Sequence, residues 1–129
     1  MKGKKILVID DEEDSRRLIK ITLESAGAQV FTAANAHQGM HDAGQIDLDL
    51  ILLDLKMPDV DGMAILRTLT ATRAPCPIVV LSGVDSRNIT VQAITDGAFG
   101  FIHKPISHHT FADQIAQILK WSANEDPES

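Results

Sequence analysis

The sequence holds a single cysteine, Cys76, among 129 residues. No internal disulfide can staple the fold, and a reducing, cytoplasmic setting is expected. No apolar run approaches the roughly 20 residues that span a bilayer, so no membrane helix is expected. Met1-Lys2-Gly3-Lys4-Lys5 opens like an export signal, but the apolar run Ile6 to Ile9 ends at Asp10 and Asp11. That is too short and too acidic for a secretory leader. Cations are the minority: Lys plus Arg number 12 against 18 Asp plus Glu, a net charge of −6. Phosphate contacts need clustered cations, so direct binding of nucleic acid by this domain is not expected. Low-complexity segments and long linkers are also missing. What is there is a chain with 44% apolar residues, too apolar for disorder and long enough for one domain with a real core.

Short apolar runs alternate with amphipathic stretches. Ile6-Leu7-Val8-Ile9, Gln29-Val30-Phe31-Thr32, Leu50-Ile51-Leu52-Leu53, Ile78-Val79-Val80-Leu81 and Phe99-Gly100-Phe101-Ile102 read as five strands. Between them, helices are expected from about Asp14 to Ala26, with a stripe of Leu18, Ile19, Thr22, Leu23 and Ala26, and from Ala36 to Ala43, stopping at Gly44. Further helices are expected over Gly62 to Thr72, broken by Pro75-Cys76-Pro77, and over Arg87 to Asp96, stopped by Gly97. Ser107 is placed as the cap of a last helix burying Phe111, Ile115, Ile118 and Leu119. Five β-α repeats with uniformly apolar strands predict an α/β fold, a five-stranded parallel sheet with helices on both faces. The polar stretch 122–129 reads as a frayed tail or the start of a linker.

In an open parallel sheet, ligands bind beyond the carboxyl ends of the strands. Asp10 and Asp11 follow the first strand, Asp54 the third, Ser82 and Gly83 the fourth, and His103, Lys104 and Pro105 the fifth. Three carboxylates, a hydroxyl and an ammonium thus converge on one edge from distant parts of the chain. Carboxylates that close repel by a few kcal/mol per pair at an effective dielectric of about 20. A hard divalent cation, Mg²⁺ or in its place Mn²⁺, and the Lys104 ammonium would relieve that repulsion. A carboxylate beside Mg²⁺ and lysine suits phosphoryl transfer, with the carboxylate itself as nucleophile.

These residues match a family. Asp10-Asp11, Leu53-Asp54-Leu55-Lys56-Met57-Pro58-Asp59-Val60-Asp61-Gly62, Leu81-Ser82-Gly83 and Phe101-Ile102-His103-Lys104-Pro105 closely resemble the receiver domain of two-component response regulators, over residues 4–121. The resemblance implies a flavodoxin-like (βα)5 doubly wound fold. It implies that Asp54 accepts a phosphoryl group from a phosphohistidine of a sensor histidine kinase or phosphotransfer protein. Asp11 would bind Mg²⁺ directly, Asp10 partly through water, and Lys56 through its backbone carbonyl, with Asp54 completing the set. Lys104 would pair with a phosphoryl oxygen. Ser82 would donate its hydroxyl to the phosphoryl group, Phe101 would turn inward as Ser82 moves, and the Lys104-Pro105 bond would be cis. The switch hydroxyl is Ser where Thr is commoner, and the aromatic is Phe, which has no phenol. Lys56 and Val84 occupy places that tune loss of the phosphoryl group in this family. The output would be a phosphorylation-biased face of the fourth helix, fifth strand and fifth helix, read by a downstream protein or output domain, with no catalytic turnover.

Simpler roles exist for each residue. Asp10 and Asp11 could merely cap the first helix, Ser82 could be a turn residue and Phe101 plain core. Asp59 and Asp61 read as turn formers before Gly62. His37 and His41, at i and i+4, have no third ligand and read as a solvated face, as do His108 and His109. Cys76 reads as an inert loop residue. Two rival readings fit less well. A haloacid-dehalogenase-type aspartate phosphatase would use Asp47-Leu48-Asp49, but that motif must follow a strand and here precedes one. A phosphate-independent pseudo-receiver would have lost an acidic or lysine position, and none is lost.

Overall fold

Runs of leucine, isoleucine and valine with no polar interruption can lie only where both sheet faces are covered. In the computed structural model those runs form the middle of a parallel sheet. The structure describes residues 1–57, 61–72, 76–83 and 87–123. The elements are β1 (Lys5–Ile9), α1 (Glu13–Ser25), β2 (Gln29–Ala33), α2 (Ala36–Gln45), β3 (Leu50–Asp54), α3 (Gly62–Thr72), β4 (Ile78–Ser82), α4 (Arg87–Thr95), β5 (Gly100–His103) and α5 (Phe111–Ala123). The strand order is β2-β1-β3-β4-β5, and every pair is parallel. This is the expected doubly wound α/β fold. The outer strands β2 and β5 carry the exposed positions, while β3 and β4 are buried throughout.

Side chains alternate across the strands and divide the core in two. Ile6, Val8, Leu50, Leu52, Val79 and Leu81 pack with Ile19 and Leu23 of α1 and with Phe111, Ile115 and Ile118 of α5. Leu7, Ile9, Ile51, Leu53, Ile78 and Val80 pack with Ala43 of α2, Ile65, Leu66 and Leu69 of α3, and Ala93 of α4. Among the described residues one buried side-chain polar atom is out of keeping: the Thr90 hydroxyl on α4 has no hydrogen-bond partner there.

Several expected boundaries shift. α2 runs through Gly44 to Gln45, because a glycine inside a helix weakens it without ending it. α1 starts at Glu13, and Ala26 is its exposed C-terminal cap rather than part of the apolar stripe. β5 starts at Gly100 and takes in His103. Asp54 and Ser82 are final strand residues because the ladder continues past them: the Leu55 amide donates to the Leu81 carbonyl at 3.2 Å, and the Lys104 amide to the Ser82 carbonyl at 2.7 Å. Ser107 does not cap α5 directly. Its backbone carbonyl accepts from the Thr110 and Phe111 amides, and the chain makes a turn before the helix begins at Phe111. Leu119 is only partly buried, and α5 takes in Ser122 and Ala123, which the sequence placed in the tail. Pro75, Asp59, Val84 and the tail from Asn124 lie outside the described residues.

Gly62 opens α3 where a side chain could not fit. A Cβ there would run into the backbone of Leu55, its carbonyl oxygen above all. This close approach sets the start of α3 directly against Leu55, the residue after Asp54.

Candidate functional site

The parallel register aligns the strand ends, with Ile9 beside Leu53, Asp54 beside Leu81 and Ser82 beside His103. Residues following β1 and β5 therefore meet the last residues of β3 and β4. Asp10 is fully buried, and Asp54 and Ser82 are nearly so, at 3% and 2% exposed. The Lys104 ammonium lies 2.9 Å from Asp10 Oδ2, 3.1 Å from Asp54 Oδ2 and 2.7 Å from Glu12 Oε1. The Lys104-Pro105 peptide bond is cis.

Asp10 is held on every side. Its Oδ1 accepts from the Glu12 amide at 2.9 Å and its Oδ2 from the Ser15 hydroxyl at 2.7 Å, while Arg16 donates to its main-chain carbonyl at 2.8 Å. The α1 N-cap is Glu12, which makes no side-chain cap bond. Asp54 Oδ1 accepts from the Lys56 amide at 2.9 Å. Burial raises both carboxyl pKa values, with opposite net results. For Asp10, the Ser15, Glu12 and Lys104 donors outweigh burial and hold its carboxyl below the usual range. For Asp54, burial wins with help from the Asp10 charge, against the Lys56 amide and Lys104, and the carboxyl is pushed up to about 6. Burial acts to lower Lys104, but Glu12, Asp10 and Asp54 overcome it and hold its ammonium well above the ordinary lysine range.

Carboxylate oxygens of Asp10, Glu12 and Asp54 lie within 4.8 Å of one another, close enough to share a cation. One ammonium balances one of three negative charges. An all-oxygen donor set with remaining negative charge fits a hard divalent ion. Asp11 is exposed and outside this group, whereas Glu12 is inside it. Glu12 was missed in the sequence, although the acidic run Asp10 to Asp14 was its signal. Lys56 is exposed beside Asp54. The Ser82 hydroxyl lies 3.4 Å from His103 Nδ1. Phe101 is 42% exposed, so it is not plain core.

The other candidates fall elsewhere. Asp61 accepts from the Met63 amide at 3.0 Å, the turn role expected of it. His37, His41, His108 and His109 are exposed and belong to no three-ligand group among the described residues. Asp49 accepts from the Lys5 amide at 2.8 Å, at the opposite end of the sheet from Asp54, so Asp47-Leu48-Asp49 cannot form a phosphatase site with it. Cys76 lines a cavity of about 500 Å³ at that far end, with Lys4, Asp47 and Pro77.

A doubly wound parallel sheet with carboxylates and a lysine at its carboxyl edge defines the class as an α/β signalling receiver. The profile of the response regulator receiver domain matches residues 6–116, and the chain belongs to this family. It is 34% identical over 119 residues to the cell cycle transcriptional regulator CtrA of Caulobacter vibrioides, covering 92% of this chain and 51% of CtrA. It superposes on NtrX from Brucella abortus with a TM-score of 0.90 at 29% identity, covering 95% of this chain and 28% of NtrX. For a response regulator receiver domain protein from Clostridium thermocellum the TM-score is 0.85 at 29% identity, covering 94% of this chain and 98% of that one. The chain thus spans about half the length of CtrA and nearly all of the Clostridium receiver. It is a receiver of two-component signalling.

Proposed function

We propose that Asp54 accepts a phosphoryl group from a phosphohistidine of a sensor histidine kinase or phosphotransfer protein. A carboxylate oxygen of Asp54 attacks phosphorus, the P–N bond breaks, and the imidazole leaves with the electron pair, giving an acyl phosphate. The observation that carries this is the convergence of Asp10, Glu12 and Lys104 on the buried carboxylate of Asp54. Mg²⁺ would be held by Asp10, Asp54, the Lys56 carbonyl and Asp11, with Glu12 within reach, and when bound it supplies positive charge to the oxygens of the transferred group. Lys104 stays protonated and pairs with a phosphoryl oxygen, and the Ser82 hydroxyl donates to another. A cleft of about 430 Å³ beside Lys104, lined by Glu12, Ser15, Leu18, Gly83 and Pro105 among others, gives the donor room to approach.

Phosphorylation then biases two pre-existing arrangements of the α4-β5-α5 face. Among the described residues, the exposed large apolar side chains other than Ile21 are Ile89, Val91, Ile94, Phe101 and Trp121, and all five lie on α4, β5 or α5. That concentration supports a docking face for a downstream protein or an output domain. The domain would act stoichiometrically rather than by turnover, in the cytoplasm. The unit carrying this role is taken as residues 4–121, with 122–129 leading into a tail or linker. Incubation with phosphoramidate or acetyl phosphate and Mg²⁺ is expected to add one phosphoryl mass to the intact chain. Asp54→Asn and EDTA are each expected to abolish the addition. Labelling of Asp54→Asn would remove the acceptor role, and labelling in EDTA would remove the metal.

A further inference from the structure

We infer that His103 is a positioning residue that ties Ser82 and Phe101 together in the resting arrangement. The inference rests on the phosphoacceptor role proposed for Asp54. Ser82 and His103 are register partners on β4 and β5, so their side chains stand side by side on one face of the sheet. His103 Nδ1 lies 3.4 Å from Ser82 Oγ and 3.4 Å from the Gly83 carbonyl oxygen. A carbonyl oxygen only accepts, so the proton belongs on Nδ1, and the ring donates to both oxygens. Two residues back along β5, on the same face, Phe101 meets the His103 ring edge-on, with centroids 5.1 Å apart and planes at 71°. One imidazole therefore touches the switch hydroxyl, the carbonyl that follows it, and the switch aromatic.

For Ser82 to donate to a phosphoryl oxygen on Asp54, its hydroxyl must turn away from Nδ1. For Phe101 to leave its exposed position, it must leave the edge of the same ring. His103 thus stabilises the arrangement in which neither has moved, and makes the two movements depend on a common contact. Its removal is expected to enlarge the fraction of molecules already in the switched arrangement, which raises apparent affinity for any ligand selective for it.

Beryllofluoride, a phosphoryl mimic, provides the probe, with MgCl₂ present and Asp54 labelling checked in parallel. His103→Ala is expected to bind it about threefold to tenfold more tightly than the unmodified chain. His103→Asn, which puts an amide donor where Nδ1 stood, is expected to restore much of the original affinity. In the unmodified chain, ¹⁵N resonances of the His103 ring are expected to report the Nδ1-protonated form and to shift when beryllofluoride binds. Normal labelling with unchanged affinity in His103→Ala, or an Nδ1 resonance indifferent to beryllofluoride, would overturn the role of His103 alone. An unmodified chain that takes no phosphoryl group would overturn the acceptor role of Asp54 instead.

Discussion

Asp54, the acceptor proposed above, also carries a cost in stability. With its carboxyl at about 6 in the fold against an ordinary value of 3.8, the folded chain binds more protons than the unfolded chain between those limits. The contribution of this group to stability therefore falls as pH rises from about 4 to 6 and stays low above that. Asp54→Asn is expected to raise the unfolding free energy by roughly 1–3 kcal/mol at pH 7.5 and by much less near pH 4. Urea unfolding at the two pH values checks this, and an equal effect at both would contradict the assignment. The carboxylates at the strand ends were legible in the sequence because each follows an apolar run in a parallel fold. That Glu12, next to Asp11, reaches the lysine was not legible. Asp11 and Glu12 differ by one residue, and only the turn between β1 and α1 swings Glu12 onto Lys104 at 2.7 Å. The outward stance of Phe101 was equally hidden, since alternation along an edge strand does not say which face is covered.

The central strands are the elements the sequence defines best, since an unbroken apolar run allows few other fates. Ends were harder, because they depend on backbone bonds to neighbours that are distant in sequence. The ladder bond from Lys104 to Ser82 is what carries β5 through His103. α5 shows the same limit: Ser107 looks like a cap, but the chain first makes a turn on the Ser107 carbonyl. α4 holds the Thr90 hydroxyl, 6% exposed and without a hydrogen-bond partner among the described residues. Thr90→Val keeps the shape, has similar helix propensity and removes the unsatisfied group. It is expected to stabilise the fold by about 1 kcal/mol, raising the thermal midpoint by a few degrees. A lower midpoint would mean that the hydroxyl has a partner in solution.

At the scale of the whole molecule, the metal binding proposed for the acidic pocket would be linked to folding, because its carboxylates meet only in the native state. A ligand bound only by the folded chain at a hundredfold excess over its dissociation constant adds about 2.7 kcal/mol of stability. Titration with MgCl₂ at constant ionic strength is therefore expected to raise the thermal midpoint. EDTA is expected to reverse the rise, and Asp10→Asn to suppress it. A midpoint flat across the titration would take the metal out of the site. The same pocket draws its cation from residue 104, bonded to residues 12 and 54. A chain emerging from the ribosome exposes its acids long before the lysine that offsets them. Until the last β-α unit docks, the pocket has no internal counter-charge and the acceptor no lysine beside it. The phosphoryl acceptance proposed for Asp54 would therefore become possible only as folding completes, and a truncated or half-made copy would lack it.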